Sequence, residues 1–428
     1  MAVEEEKVIR FYDPELNFLK EVDDYTAFIY RSKWNSYGAF ELYMDRRLPC
    51  VQKDNIIIWN YDTRKNGIIK YIECSDENGV IVKGYSLLYL LKNRIAVPPA
   101  GEDHDMLEGS YEDCMYALVD HNAIIPADIS RKMPLWERKK SLGRGGNCRY
   151  QARYKELPEC LTEMSKVSFL GIGVDIDLER KRYIFEVLEG TDRTIHQSIN
   201  SRAVFSDAQD NVYDREYILN DADSRNCAYV AGQGEGAGRE IVIVGNGHTG
   251  NERKEVFIDA RDVEDAVHLS ERGNTKLAGM VPAESYSTQV DAFGYQKKWD
   301  LGDFVTVFDE EYHITMIEQV IEVEEDMGES GYSVIPTFGI PEKSISEKMS
   351  DSGSGESYGG GGASDLTYIH TQMTAASVWK IEHNLSKFPS VSVVDSAGSV
   401  VVGECTYVDK DNIKLVFSSA FAGYAYLN

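Results

Sequence analysis

Gly232, Gly234 and Ala237 stand in the stretch "YVAGQGEGAGREIVIVG" (Tyr229 to Gly245). Their spacing satisfies the relaxed G-x-G-x-x-(G/A) pattern of a loop that cradles a pyrophosphate. "CAYVA" before them reads as a strand, and Asp259 ends a later strand at a distance that suits a ribose contact. Such a site also needs a helix directly after the glycines, because its first free N–H groups meet the phosphate. Here "REIVIVG" follows, which is β-branched and strand-like, and Glu235 would set a like charge against the phosphate. The stretch therefore predicts a loop between two strands of a barrel, with glycine where φ turns positive and no nucleotide bound.

Other reactive residue types are present without a partner pattern. "GYSLL" lacks the second glycine of a nucleophile elbow and leads into a leucine face. HExxH is absent and the eight His are scattered, so no zinc ligand set is visible. "GEDHD" (Gly101 to Asp105) gathers acids around His104 and reads as a solvated loop rather than a metal site. "GRGGNCRYQAR" (Gly143 to Arg153) is basic and could grip a phosphate. It has no interleaved aromatics, so a solvated loop or a contact to an acidic neighbouring subunit is the preferred reading. Trp379, Tyr407, Tyr424 and Tyr426 could form a contact surface for sugar or protein, against the alternative that small domains bury such residues. Catalytic, cofactor and metal residues are each predicted as none, which shifts weight to a structural or binding role.

The elements that position these residues read mostly as strands. Aromatics are 11% of the 428 residues, led by 26 Tyr, which favours β architecture and contact surfaces. Residues 1–95 form a meander: "AFIYRSKWNSYGAFELYM" around a Ser-Tyr-Gly turn, "NIIIWNY", then a predicted turn at "TRKNG" with the hairpin signal Asn66-Gly67. "SLLYLLKNR" carries Leu87, Leu88, Leu90 and Leu91 at helical spacing. Residues 96–190 are mixed, with a helix capped by Ser110, a second amphipathic helix in "LPECLTEMSKVSFL", and a hairpin turning at "LERK". Residues 191–345 return to strands, with short helical pieces in "DVEDAVHLSERGNTKLAG". Residues 346–365 are a Gly/Ser-rich linker with almost no apolar side chains to offset its ordering entropy, reaching roughly 25 Å by coil statistics. Residues 366–428 read as a small β-sandwich module.

The net charge is −26, which argues against binding bare nucleic acid or inserting into an anionic membrane. The last module holds four Lys against five acids, leaving 41 basic and 66 acidic residues in 1–365. The start is acidic and polar and no apolar run is long enough to span a bilayer, so export by the usual route is not expected. Cys50, Cys74, Cys114, Cys148, Cys160, Cys227 and Cys405 are odd in number with no CxxC, and read as reduced core residues.

Several stretches in order resemble one family. "WNSYGAFELYM" is similar to the W-x(3)-G-x-FEL signature of phage tail hub proteins, and "VKGYSLLYLLKNR" to their strand-then-helix segment. "EGTDRT", "YVAGQGEGAGRE", "VFIDARDV", "WDLGDFVTV" and "YSVIPTFG" follow in that family's order. Over about residues 5–340 the chain resembles the siphovirus tail-tip hub group, also found in prophage tails and tailocins. The resemblance implies a mainly β protein with an α+β insertion: two β-barrel-like hub domains (1–95 and 191–345) around 96–190, followed by the C-terminal module. It implies a homotrimer whose paired barrels form a pseudo-sixfold ring joining tail tube to tip. Its partners would be tail tube and distal tail or baseplate proteins, tail fibre or receptor-binding proteins, and a host surface glycan. The expected place is the virion tail tip, after synthesis in the host cytoplasm. Alternatives are a receptor- or glycan-binding tail protein and a wall-degrading one. The latter is disfavoured because the linker leads only to a short module.

Overall fold

The structure, a computed structural model, describes residues 8–76, 79–209, 211–261, 263, 266–328, 331–341, 368–383, 389, 391–395, 401 and 403–427. The expected linker over 346–365 lies outside the described residues. The chain divides into two compact units, Met1–Tyr358 and Gly359–Asn428, and strand dominates both.

In the first unit, strands from both ends of the sequence share a 13-stranded sheet. One half is the early meander, running from Ala27–Lys33 out to Phe18–Val22. The other is built from Val212–Asn220, Ala283–Val290, Gly331–Ile340, Ile314–Gly328 and Phe304–Asp309, with Val204–Ser206 alongside. Among the described residues no pairing joins the two outermost strands, so the sheet runs open rather than closing as one ring. Alternating inward residues fill a separate core under each half, one around Phe28, Phe40 and Trp59, the other around Tyr286, Trp299 and Phe338.

The halves meet on one long strand. Ile314–Gly328 pairs Ile314 to Gln319 with Phe304–Asp309. It then pairs Glu322 to Met327 with Phe28 to Lys33. The ladder shifts register between Val320 and Glu322, where the strand changes neighbours. The Ile321 carbonyl left over there accepts the Trp34 N–H at 2.9 Å.

The mixed segment forms as its local signals predict. Helix α1, Tyr111–Val119, starts on a capping box: Asp113 N–H donates to the Ser110 hydroxyl at 3.0 Å and Ser110 N–H to the Asp113 carboxylate at 3.3 Å. Helix α2, Leu157–Ser168, carries Pro158 in its first turn and stops at Phe169, whose φ is 60°. Gly171–Asp177 and Arg182–Leu188 form the hairpin at "LERK". The leucine run folds as a 3-10 helix, Leu87–Asn93, burying Leu87, Leu88 and Leu91.

Asn66-Gly67 is not a turn. Both residues lie inside the 14-residue strand Asp62–Ser75, and the chain reverses at Asn60 and Tyr61, with φ of 50° and 59°. Asn66 is buried, its amide donating to the Thr63 and Val174 carbonyls and accepting from Leu87 N–H. A Cβ on Gly67 would stand 2.5 Å from the Phe40 ring. The dipeptide serves close packing, which a local turn signal cannot distinguish.

Among the described residues the second unit forms a four-stranded sheet. Asn412–Leu427 runs along Tyr368–Glu382 on one side and along Glu404–Tyr407 and Val391–Asp395 on the other. Its core gathers Trp379, Ile381, Ile413, Leu415 and Phe417.

Candidate functional site

Three sequence segments of the first unit meet at one joint. Trp34, from the "WNSYG" signature, is its pin. Its indole N–H donates to the Phe169 carbonyl at 3.0 Å, and its carbonyl accepts Ile172 N–H at 2.9 Å. Its ring fills spaces that only glycine leaves: a Cβ on Gly171 would come within 2.6 Å of it, and one on Gly302 within 2.3 Å. One side chain thus ties the first meander to the mixed segment and to the second strand set.

A buried ion pair joins the same two strand sets. Lys65 Nζ donates to Glu325 Oε1 at 2.7 Å, with the two side chains 8% and 0% exposed. The Tyr332 hydroxyl donates to the same oxygen. The ammonium sits 5.1 Å from the Trp59 ring centroid and 5.0 Å from that of Tyr295, a cation–π box that repays part of its lost hydration. Burial, then the Glu325 charge, pushes the Tyr332 phenol well above its ordinary range. Glu325 Oε2 is buried with no hydrogen-bond partner among the described residues. Nearer the surface, Arg31–Glu324 at 2.5 Å and Lys33–Glu322 at 3.4 Å continue the clasp along the paired strands.

The mixed segment docks through charge as well. Arg64 makes two hydrogen bonds to Glu186, at 2.6 and 3.0 Å, and Lys139 binds the same carboxylate. Burial alone would raise the Glu186 carboxyl, but Arg64 and Lys139 outweigh it and hold the group below its usual range. Arrangements of this kind fix the geometry of the segments they join.

The glycine stretch lies elsewhere. Cys227–Ala231 and Ile241–Val244 are antiparallel, and Glu255–Asp259 runs parallel to the first of them. They form their own three-stranded sheet rather than part of the 13-stranded one, which corrects the barrel placement. Helix α3, Ala266–Ala278, covers one face with Leu269. A Cβ on Gly273 would meet Val230 and Val244 at 2.6 Å, so this glycine sets the close helix–sheet approach. In the loop itself, Gly234 and Gly236 take φ of 99° and 56°. Arg239 folds back to donate to the Ala231 and Gly232 carbonyls at 2.8 and 2.7 Å and pairs with Asp259. Asp259 is therefore engaged by Arg239, and α3 follows the third strand rather than the glycines.

The remaining sequence candidates separate. His104 and Asp105 are buried, and Asp105 receives His121 Nδ1 at 2.9 Å. That contact raises the His121 pKa, against the effect of burial. No three His, Cys, Asp or Glu among the described residues come together as a ligand set. In the basic stretch, Arg144 is claimed by the fully buried Glu112 at 2.8 Å and Arg149 by Glu108 at 2.9 Å, so those cations serve their own segment. In the second unit Trp379 is 1% exposed and sits in the core. Tyr407 is 43% exposed, its hydroxyl donating to the Pro389 carbonyl at 2.6 Å. Tyr426 is half-buried, and the Tyr424 side chain lies outside those described.

The joint and its three contributing segments coincide with one family. The model described as Siphovirus ReqiPepy6 Gp37-like protein matches residues 8–340.

The chain belongs to this family.

No curated protein matches this Gp37-like chain. Among solved structures it is similar to the 43 kDa tail protein of prophage MuSo2 from Shewanella oneidensis, at 12% identity and TM-score 0.51, covering 78% of this chain and 98% of that one. The tail protein from Neisseria meningitidis MC58 gives 12% identity and TM-score 0.48, over 78% and 96%. Prophage tail protein gp18 from Listeria monocytogenes gives 12% and 0.47, over 80% and 97%. Family and fold together make the Gp37-like chain a phage tail protein. No helix among the described residues is long and apolar enough to cross a membrane.

Sequence reasoning reached Trp34 only as part of a signature. It missed Lys65 and Glu325, which are 260 positions apart and carry no local signal.

Proposed function

We propose that this chain is a non-enzymatic structural component of the phage tail tip, a homotrimeric hub that joins the tail tube to the tip and presents its C-terminal unit for tip assembly or host attachment. The observation that carries this reading is the long strand Ile314–Gly328, which fuses two β halves into one sheet. A trimer of such a chain offers two β halves per copy to a sixfold tube, without further subunits. The division into 1–95, 96–190 and 191–345 follows the same logic, with the mixed segment docked on the first half through Trp34 and Glu186 and on the second through Gln319, whose amide donates to the Phe169 carbonyl. Tail tube, distal tail, baseplate and fibre proteins are the partners this role requires, and the virion is its place after synthesis in the host cytoplasm. Native mass spectrometry of the purified chain, with cross-linking to tail-tube protein, is expected to give a trimer that captures the tube. A strict monomer that never cross-links to it would overturn the reading.

A second reading assigns host binding to the C-terminal unit. It is favoured by Val378, Tyr407 and Val408, which are 42%, 43% and 65% exposed there. Pull-down of the full chain by host cells, lost on Tyr407→Ala, would support it. Undiminished capture by that variant would count against it.

A further inference from the structure

Cys114 lies on α1, and Cys148 on the strand Asn147–Ala152 beneath it. Both are free thiols, 1% and 5% exposed. The Cys114 thiol donates to the Cys148 carbonyl oxygen at 3.9 Å. Across the ladder Cys148 faces Gly109, so no bulky side chain fills the neighbouring position on that strand. Most buried cysteines are inert packing. This pair differs because a cleft of about 420 Å³, lined by Glu108, Gly109, Asn147, Cys148, Arg149 and Glu271, reaches Cys148 from outside.

We propose that Cys114 and Cys148 are a modification site, closing to an intrachain disulfide when a small neutral peroxide enters this cleft. With Glu108 paired to Arg149, Glu271 leaves the cleft lining net negative, which disfavours anionic oxidants such as oxidised glutathione and leaves a neutral one free to enter. In the first step the Cys148 sulfur, deprotonated, attacks one peroxide oxygen. The O–O bond breaks, a sulfenic acid forms, and the departing hydroxide takes up the released proton as water. In the second step the Cys114 thiolate attacks that sulfur. The S–O bond breaks, the S–S bond forms, and hydroxide again leaves as water after taking the Cys114 proton. Two thiols are oxidised by two electrons and one peroxide is reduced to two waters. Cys148 lines the cleft and Cys114 does not, so the peroxide meets Cys148 first and Cys114 is the resolving nucleophile. The disulfide would join α1 to the strand under it across 34 positions. The site stands on this geometry alone and is independent of the trimeric hub reading.

The test uses the full chain, treated with hydrogen peroxide or with dithiothreitol, denatured in N-ethylmaleimide and digested without reduction. Mass spectrometry is expected to find a Cys114–Cys148 cross-linked peptide after peroxide, lost on later reduction, while Cys50, Cys160 and Cys227 remain alkylated in both samples. Cys114→Ser should abolish the link and leave Cys148 as a sulfenic acid that dimedone traps. Full alkylation of both cysteines after peroxide would overturn the proposal. So would peroxide-driven cross-linking of either cysteine to a different one, or equal peroxide reactivity of Cys160, which is buried beyond the cleft.

Discussion

The joint and the glycine hairpin both place glycines against other groups, yet they are built to opposite ends. At the joint, Gly67, Gly171 and Gly302 make room for the rings of Phe40 and Trp34, and each is fixed by a distant part of the chain. In the hairpin, Gly234 and Gly236 supply positive φ, and a Cβ on Gly236 or Gly238 would meet nothing within 4 Å. The first set serves packing, with Gly302 also taking a positive φ of 91°, and the second serves backbone conformation. The difference teaches that a glycine's purpose is written in what lies across from it, not in its neighbours along the sequence.

The comparison breaks if the joint tolerates change as the hairpin does. The largest effect is expected for Lys65→Met, which leaves the Glu325 carboxylate buried and unpaired. It should lower unfolding stability by about 3–5 kcal/mol in urea titrations, with Lys65→Met/Glu325→Leu recovering most of the loss. Gly67→Ala comes next, at about 2–3 kcal/mol, because the methyl group must displace Phe40. Gly236→Ala should cost only about 1 kcal/mol, through positive φ alone. Its signature is faster amide exchange in the hairpin, with exchange at the joint unchanged.

The smallest effect is a pH dependence at the joint's rim. Desolvation pushes the Asp300 carboxyl up to about 6 although the residue as a whole is exposed, with the Asp303 charge adding and Lys65 opposing. The native state then binds more protons than the unfolded one between the ordinary value of 3.8 and about 6. Stability falls as pH rises through that window. Asp300→Asn should therefore raise the melting midpoint slightly at pH 7 and leave it unchanged at pH 3, where both states are protonated.

What was legible in the sequence was local. The Ser110 cap, the amphipathic helix in "LPECLTEMSKVSFL", the Leu87 to Leu91 face and the "LERK" hairpin each depend on contacts a few residues away, and each formed. The glycine stretch was read correctly as strand, loop and strand because "REIVIVG" excludes a helix. Its sheet was not foreseen, since α3 and the third strand that complete it arrive later. Asn66-Gly67 misled because its hydrogen-bond partners, Val174 and Leu87, lie in other elements. The site residues Lys65, Glu325 and Arg31 were illegible for the same reason. A charge in a strand shows no sign of whether it will face water or an opposite charge nearly 300 positions away.

That separation has a consequence on the ribosome. Arg31 meets Glu324 across 293 positions, so the strand Ala27–Lys33 emerges long before its partner exists. At the usual pace of synthesis its edge stays uncovered for roughly 15–60 s. An open edge invites pairing with other nascent chains. Arg31 and Lys33 put two like charges on that edge, where a second copy would bring the same charges against them. The cations that later clasp the two halves together thus guard the unfinished sheet against its own kind while it waits.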